Sequence, residues 1–105
     1  MSSFTDSNFV KKLTELNNTQ QSIQTLSLWL IHHRKHSRTI TQVWLRELQK
    51  VRASMRLTYM YLANDVIQNS KKKGPEFTRD FASVMTDAYS VATKDAEDKA
   101  KKSVE

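Results

Sequence analysis

The sequence contains a single glycine and a single proline, and the two are adjacent, at Gly74 and Pro75. Tight hairpins and phosphate-binding loops depend on glycine, and most turns use glycine or proline at fixed positions. A chain of 105 residues with so few of them has little material for a β-sandwich or a Rossmann-type unit. Its length suits one small domain with a modest core. The sequence therefore predicts helices with short connections and one firm stop, at Gly74-Pro75.

Apolar residues recur at helical spacing through almost the whole chain, which predicts five or six helices in an all-α fold. Asn18, followed three residues later by Gln21, fits a capping box at the start of the second helix. Ser37 or Thr39 can cap the third helix, and Ser54 can cap the fourth. The main apolar positions with this spacing form the predicted core: Phe9, Leu13, Leu16, Ile23, Leu26, Leu30, Ile40, Val43, Trp44, Leu48, Val51, Phe77, Phe81, Val84, Met85, Ala88 and Ala92.

The net charge of +6 is concentrated in the middle of the chain. Residues 31–73 carry ten Lys and Arg against two acidic residues, and the remainder is slightly acidic. A basic middle suggests an anionic partner, such as nucleic acid, a phosphorylated peptide or lipid headgroups. The sequence has no run of about 18 apolar residues, and its first residues lack an apolar signal segment. We therefore expect an intracellular protein that does not span a membrane.

The predicted fourth helix, from about residue 55 to 73, has an apolar face and a polar face. Asn and Asp are poor residues for the middle of a helix, and a face that only meets solvent more often carries Glu, Lys and Arg. Tyr61 lies at the centre of the polar face, although a large aromatic side chain is usually buried at least in part. We interpret this face as a recognition surface for an extended peptide or a base. Its residues are Leu57, Tyr61, Asn64, Asp65, Gln68, Asn69 and Lys72.

The sequence offers no catalytic or metal-binding pattern. Cysteine is absent, and there is no nucleophile elbow, phosphate-binding loop or His-Glu-x-x-His motif. His32 and His36 have the spacing to share a metal ion, but Arg34 and Lys35 repel a cation and no third ligand is near. We interpret His32, His33 and His36 as surface or partly packed residues at a helix end, where they suit the helix dipole. We expect neither an enzyme nor a cofactor.

Two long strings resemble a known family. Residues 61–77 read YLANDVIQNSKKKGPEF, and residues 24–35 read QTLSLWLIHHRK. Both resemble the CTD-interacting domain (CID), especially the subgroup in the regulation of nuclear pre-mRNA domain-containing proteins. The resemblance runs from about residue 1 to about residue 102 and makes residues 1–105 a single CID-like domain that is incomplete at its C-terminal end.

The resemblance implies a right-handed superhelix of about eight helices, related in shape to the VHS and ENTH adaptors. It implies a nuclear module in transcription regulation and pre-mRNA processing that binds the C-terminal tail of RNA polymerase II. That tail repeats Tyr-Ser-Pro-Thr-Ser-Pro-Ser with phosphates on its serines. In the family the peptide lies in a groove of the second, fourth and seventh helices, and a basic residue contacts a phosphate. Carried over to this sequence, the peptide-binding candidates are Asn18, Gln20, Tyr61, Asn64, Asp65, Asn69 and Lys72.

This sequence departs from the family pattern in two places. More distant members carry Tyr-x-x-Asp, in which the Asp holds the tyrosine of the repeat; here that position is Asn64 and the carboxylate is next to it, at Asp65. Either residue can hold the tyrosine. The family also continues with a phosphate-contacting Arg and a Trp-bearing segment, whereas this sequence ends in the expected seventh helix. We therefore expect an uncovered face, prone to self-association, on a late helix that bears Val84, Met85, Ala88 and Tyr89.

Two alternative functions follow from the basic middle. Direct RNA binding is the first, but Trp29, Trp44, Phe77 and Phe81 have the spacing of core residues, which leaves few aromatics to stack on bases. A phosphoinositide-binding adaptor is the second, and it would need a basic amphipathic segment with exposed apolar residues, which we do not find. A phosphopeptide-binding module is therefore the leading hypothesis, without a membrane partner and without direct contact to nucleic acid.

Overall fold

The computed structural model describes the backbone of residues 4–104 and the side chains of residues 4–93. Within these residues the chain forms five α-helices and no strand, which confirms the predicted all-α fold. The expectation that the chain reaches a seventh helix is wrong, because a single fifth helix occupies residues 76–104. The helices are α1 (Asp6–Glu15), α2 (Gln20–His32), α3 (Ser37–Lys50), α4 (Ala53–Ser70) and α5 (Glu76–Val104), with a 3-10 turn at Arg34–His36 between α2 and α3.

The loop before α2 places the N-cap one residue later than predicted. Asn17 turns the chain, because its side-chain oxygen accepts a hydrogen bond from the Thr19 backbone N–H at 3.0 Å. The Thr19 backbone is extended, and its hydroxyl accepts from the Ser22 backbone N–H at 3.2 Å, which is the capping hydrogen bond of α2. The capping role predicted for Asn18 is therefore wrong. Asn18 is exposed in the loop.

The starts of α3 and α4 also differ from the prediction. Neither Ser37 nor Thr39 caps α3, because the helix begins at Ser37 directly after the 3-10 turn. α4 begins at Ala53, with Arg52 in the N-cap position and no side-chain cap. Ser54 therefore lies inside the first turn of α4. The chain enters both helices without the Ser or Thr cap that the sequence pattern favours.

Ser37 instead joins two helices that are distant in sequence. Its hydroxyl donates a hydrogen bond to the carboxylate of Asp80 on α5, and both residues are buried. Burial alone would raise the pKa of the Asp80 carboxyl, but the hydrogen bonds from Ser37 and Arg79, together with the charges of Arg79 and Arg38, hold it below its ordinary value. Asp80 is thus an ionised, satisfied side chain at the junction of α3 and α5.

Gly74 and Pro75 separate α4 from α5, as predicted. The carbonyl of Ser70 accepts hydrogen bonds from the N–H groups of Lys73 and Gly74 at 2.9 and 3.2 Å, which closes the end of α4. Gly74 has a φ of 149°, which residues with a side chain rarely adopt. The Pro75 carbonyl then accepts the first hydrogen bond of α5, from the Arg79 N–H at 2.9 Å.

Trp44 of α3 occupies the centre of the core, where it is fully buried. Its indole N–H donates to the Tyr59 carbonyl of α4 at 3.1 Å, and its ring meets Phe81 of α5 edge-on at 5.2 Å between centroids. One apolar core therefore joins α3, α4 and α5. The buried apolar residues are Phe9, Leu13, Leu16, Ile23, Leu26, Leu30, Ile31, Ile40, Val43, Trp44, Leu48, Tyr59, Leu62, Ala63, Val66, Phe77, Phe81 and Ala88.

Helix α4 packs against both α2 and α5, while α3 packs against α5 and α1. Ala88 of α5 is fully buried in this packing, so the expectation that it lies on an uncovered face is wrong. On the same helix Val84 and Met85 are half-buried, and Tyr89 is 63% exposed. Beyond Lys94 the sequence offers only Ala96, Ala100 and Val104 as an apolar row, and these side chains lie outside the described ones. The contacts of α4 hold it rigidly and leave one face open.

Candidate functional site

The open face of α4 is the polar face that the helical wheel predicts. Leu62, Ala63 and Val66 are fully buried on the opposite side of the helix. Tyr61 is 52% exposed at the centre of the polar face. Asp65 is half-buried, and the remaining polar residues of this face are exposed: Asn64, Gln68, Asn69 and Lys72.

Among the described residues, the polar side chains of this face have few partners. The hydrogen bond found for them within residues 4–93 runs from the Asn69 side-chain N–H to the Asp65 backbone carbonyl, at 2.9 Å. Among the side chains of residues 4–93, none forms a hydrogen bond or an ion pair with the Asp65 carboxylate or the Asn64 amide. A carboxylate and an amide beside an exposed Tyr61 can donate to and accept from a ligand backbone or a ligand hydroxyl.

A pocket of about 390 Å³ continues this face at the C-terminal ends of α2 and α4. Its wall on the α4 side includes Asn69 and Lys72, two of the predicted binding residues, and its wall on the α2 side includes Arg34. We call it the end pocket. It is lined by Leu28, Ile31, His32, Arg34, Gln68, Asn69, Lys72 and Lys73.

The other two predicted binding residues lie elsewhere. Gln20 is the first residue of α2 and Asn18 precedes it in the loop, and both are exposed. Their neighbours Thr19 and Gln21 line a separate groove of about 490 Å³ between α1 and α2. At 1.5 Å of rise per residue, the start of α2 lies about 20 Å along the helix from the end pocket. The structure therefore brings Asn69 and Lys72 together with Arg34 and places Asn18 and Gln20 at the other end of α2.

The histidines near the end pocket, His32, His33 and His36, differ in how far they are packed against other residues. His33 is half-buried, with its ring edge-on to Trp29 at 4.8 Å, and His36 stacks on Phe4 at 4.8 Å. Burial, and then the neighbouring His32 and His36, lower the pKa of His33. This arrangement confirms the interpretation of these histidines as surface or partly packed residues at a helix end.

Two lining residues were missed by the sequence reasoning as functional groups. Arg34 and His32 belong to the string HHRK, which suggests only a solvated or partly packed helix end when it is taken alone. Their position opposite Lys72 depends on the packing of α2 against α4.

None of the described helices is both long and apolar enough to cross a membrane.

Comparison with known proteins gives a consistent family assignment. The model of the CID domain family matches residues 7–105. Regulation of nuclear pre-mRNA domain-containing protein 1B of Mus musculus is 61% identical over 105 residues, which are 100% of this chain and 32% of that protein. Protein 1A of the same name from Bos taurus is 59% identical over 102 residues, 97% of this chain and 33% of that protein. CID domain-containing protein 1 of Caenorhabditis briggsae is 37% identical over 90 residues, 85% of this chain and 29% of that protein. The chain thus spans about a third of the length of these relatives.

Proposed function

We propose, from the premise that this chain belongs to the CID domain family, that it is a non-catalytic nuclear module which binds the phosphorylated heptad-repeat tail of RNA polymerase II. The observation that carries the proposal is the polar face of α4, with its exposed Tyr61 and with Asn64 and Asp65 side chains that have no partner among the described side chains. Relatives named for the regulation of nuclear pre-mRNA support a role in transcription and pre-mRNA processing.

The polar face suits an extended peptide because α4 is packed on its opposite side and the hydrogen-bonding groups of the face have few partners among the described residues. The buried contacts of Leu62 and Val66 fix α4 in the core, so Asp65 and Asn69 are positioned before a ligand arrives. Preorganised groups lose little conformational entropy on binding. The hydroxyl of a peptide tyrosine can donate to the Asp65 carboxylate or to the Asn64 amide oxygen. Exposed Tyr61 offers a ring for apolar contact with proline.

RNA is the main competing ligand, because the basic middle of the chain attracts any polyphosphate. The aromatic residues argue against base stacking as the main contact. Trp44, Phe77 and Phe81 are buried, and Trp29 is half-buried under Lys12, whose Nζ lies 5.0 Å from its ring centroid. Protein–RNA contacts that rely on stacking need exposed rings, and among residues 4–93 the large exposed rings are Tyr61 on α4 and Tyr89 on α5. A peptide held by side-chain hydrogen bonds fits the α4 face better.

Fluorescence anisotropy with labelled ligands tests the proposal. The ligands are a two-repeat heptad peptide, with and without serine phosphates, and a single-stranded RNA of similar length, each at two salt concentrations. We expect the phosphopeptide to bind most tightly and RNA binding to fall more steeply with salt. The matched variants are Asp65→Ala on the polar face and Gln49→Ala, an exposed residue on α3. Equal peptide binding by both variants, or tighter binding of RNA than of either peptide, would contradict the proposal.

A further inference from the structure

The end pocket combines positive charge from two parts of the chain that are far apart in sequence. Arg34 lies in the 3-10 turn that follows α2, and Lys72 and Lys73 follow the end of α4. No acidic residue lines the pocket, although each helix C-terminus contributes a partial negative charge there. One cation at each helix end would offset that partial negative charge. The pocket has three permanent cations, Arg34, Lys72 and Lys73, so positive charge is in excess.

The cations of the end pocket form no ion pair with any side chain of residues 4–93. The ion pairs among the side chains of residues 4–93 involve Glu47 and Asp80, neither of which lines the pocket. Arg34 is half-buried, yet its guanidinium forms no hydrogen bond or ion pair with the described side chains. A partly desolvated guanidinium without a carboxylate is costly for a fold, and it binds phosphate well because its donors match two phosphate oxygens.

An apolar surface adjoins these charges. Leu28 is 67% exposed and lines the end pocket together with the buried Ile31. A ligand that fits the pocket therefore presents an anion beside an apolar group. No ring other than the imidazole of His32 lines the pocket, so a nucleotide base would find little to stack on.

We propose that the end pocket binds a phosphoserine of a peptide, with the phosphate between Arg34 and Lys72 and an adjacent proline against Leu28. This inference rests on the proposed function. It adds the location of the phosphate and the residues that bind it. Asn69 belongs both to the polar face and to the end pocket, so one peptide can contact the two surfaces without a break.

The length of α2 sets how much peptide the module can engage. Asn18 and the end pocket lie about 20 Å apart along α2. An extended peptide advances about 3.3 Å per residue, so it covers that distance in about six residues, close to one heptad. A two-repeat peptide is therefore the appropriate probe, because it can reach both ends of α2.

The chain offers neighbouring cations as matched controls. Lys35 follows Arg34 and Lys71 precedes Lys72, and both are exposed and outside the pocket lining. We compare Arg34→Gln and Lys72→Gln with Lys35→Gln and Lys71→Gln, all of which remove one positive charge. The readout is the ratio of affinities for a two-repeat heptad peptide with and without phosphoserine, at one salt concentration. Circular dichroism melts establish that each variant is folded.

We expect the pocket variants each to lower the phosphopeptide preference about two- to fivefold, and the double variant about tenfold, since exposed charge contacts are modest. The controls should leave the preference unchanged. Equal effects of pocket and control variants would overturn the proposal, as would single-stranded RNA or phosphoinositide vesicles that bind more tightly and depend on Arg34 and Lys72. If the double variant keeps the full preference, the end pocket is wrong while the α4 site stands. If wild type binds neither peptide, both proposals fail.

Discussion

The side-chain N–H of Asn69 donates a hydrogen bond to the backbone carbonyl of Asp65 at 2.9 Å, one turn earlier on α4. This bond orients Asn69 over the polar face and uses the Asp65 backbone, so the Asp65 carboxylate remains available to a ligand. It also ties together two residues that we assign to the same peptide. The first prediction concerns that carboxylate.

Asp65→Ala should weaken binding of a heptad peptide by about ten- to a hundredfold, because a hydrogen bond to a charged group contributes about 1.5–3 kcal/mol. The melting temperature should hardly change, since the Asp65 carboxylate has no partner among the described side chains. Calorimetric titration measures the affinity. A peptide in which phenylalanine replaces the tyrosine should bind wild type and Asp65→Ala equally well.

Asn64→Ala provides the comparison that decides which residue holds the peptide tyrosine. Asn64 is fully on the exposed side of α4, whereas Asp65 is half-buried. If Asn64 is the partner, replacing the peptide tyrosine with phenylalanine should leave the affinity for Asn64→Ala unchanged. The same replacement should still lower the affinity for Asp65→Ala. A large fall in melting temperature with unaltered affinity would make either residue structural.

Two neighbouring residues at the start of α2 have different expected roles: Thr19 caps the helix, and Asn18 is a candidate for peptide binding. Thr19→Ala should lower the free energy of unfolding by about 1 kcal/mol, because it removes the N-cap hydrogen bond to Ser22. Asn18→Ala should leave stability unchanged and weaken peptide binding if Asn18 contacts the peptide. Urea titrations and peptide titrations of the two variants measure both quantities. Loss of stability in Asn18→Ala alone would contradict the observed cap.

The Ser37–Asp80 hydrogen bond predicts a pH-dependent contribution to stability. Ser37→Ala should lower the free energy of unfolding by about 1–3 kcal/mol at neutral pH, since it removes a partner of a buried carboxylate. Ser54→Ala, an exposed residue that caps nothing, should stay within about 0.5 kcal/mol of wild type.

The sign of the pH effect follows from the lowered pKa of Asp80. The native state holds the proton less tightly than the unfolded chain, so the stabilisation is fully present above the ordinary Asp pKa of about 3.9 and is lost as the pH falls below it. The difference between wild type and Ser37→Ala should therefore shrink below about pH 4. A constant difference across that range would show that the Asp80 charge contributes nothing.

The sequence predicts the exposed polar face of α4 well because helical periodicity alone determines which residues share a face. The positions of Tyr61 and Asn69 relative to buried Val66 follow from the 3.6-residue repeat. The caps were harder, since Asn17 and Thr19 compete with Asn18 and the turn at Asn17 decides the outcome. Periodicity identifies apolar positions, but it does not say which neighbouring helix covers each one.

The end pocket could not be predicted from helical periodicity, for a different reason. Arg34 and Lys72 are separated in sequence by the whole of α3 and α4, and each belongs to a basic string that is common at helix ends. Only the packing of α2 against α4 brings them to one pocket. Ser37 and Asp80 show the same limit, because no local pattern links a helix start to a buried carboxylate 43 residues later.

The central claim is that a phosphorylated heptad peptide binds along the polar face of α4. Amide chemical-shift mapping of the chain during titration with a two-repeat phosphopeptide tests it most directly. We predict that the largest shifts fall on residues 61–73 and on the end of α2 around Arg34, with saturation at one peptide per chain. Shifts confined to α1 and α3, or no shifts while RNA produces them, would contradict the account.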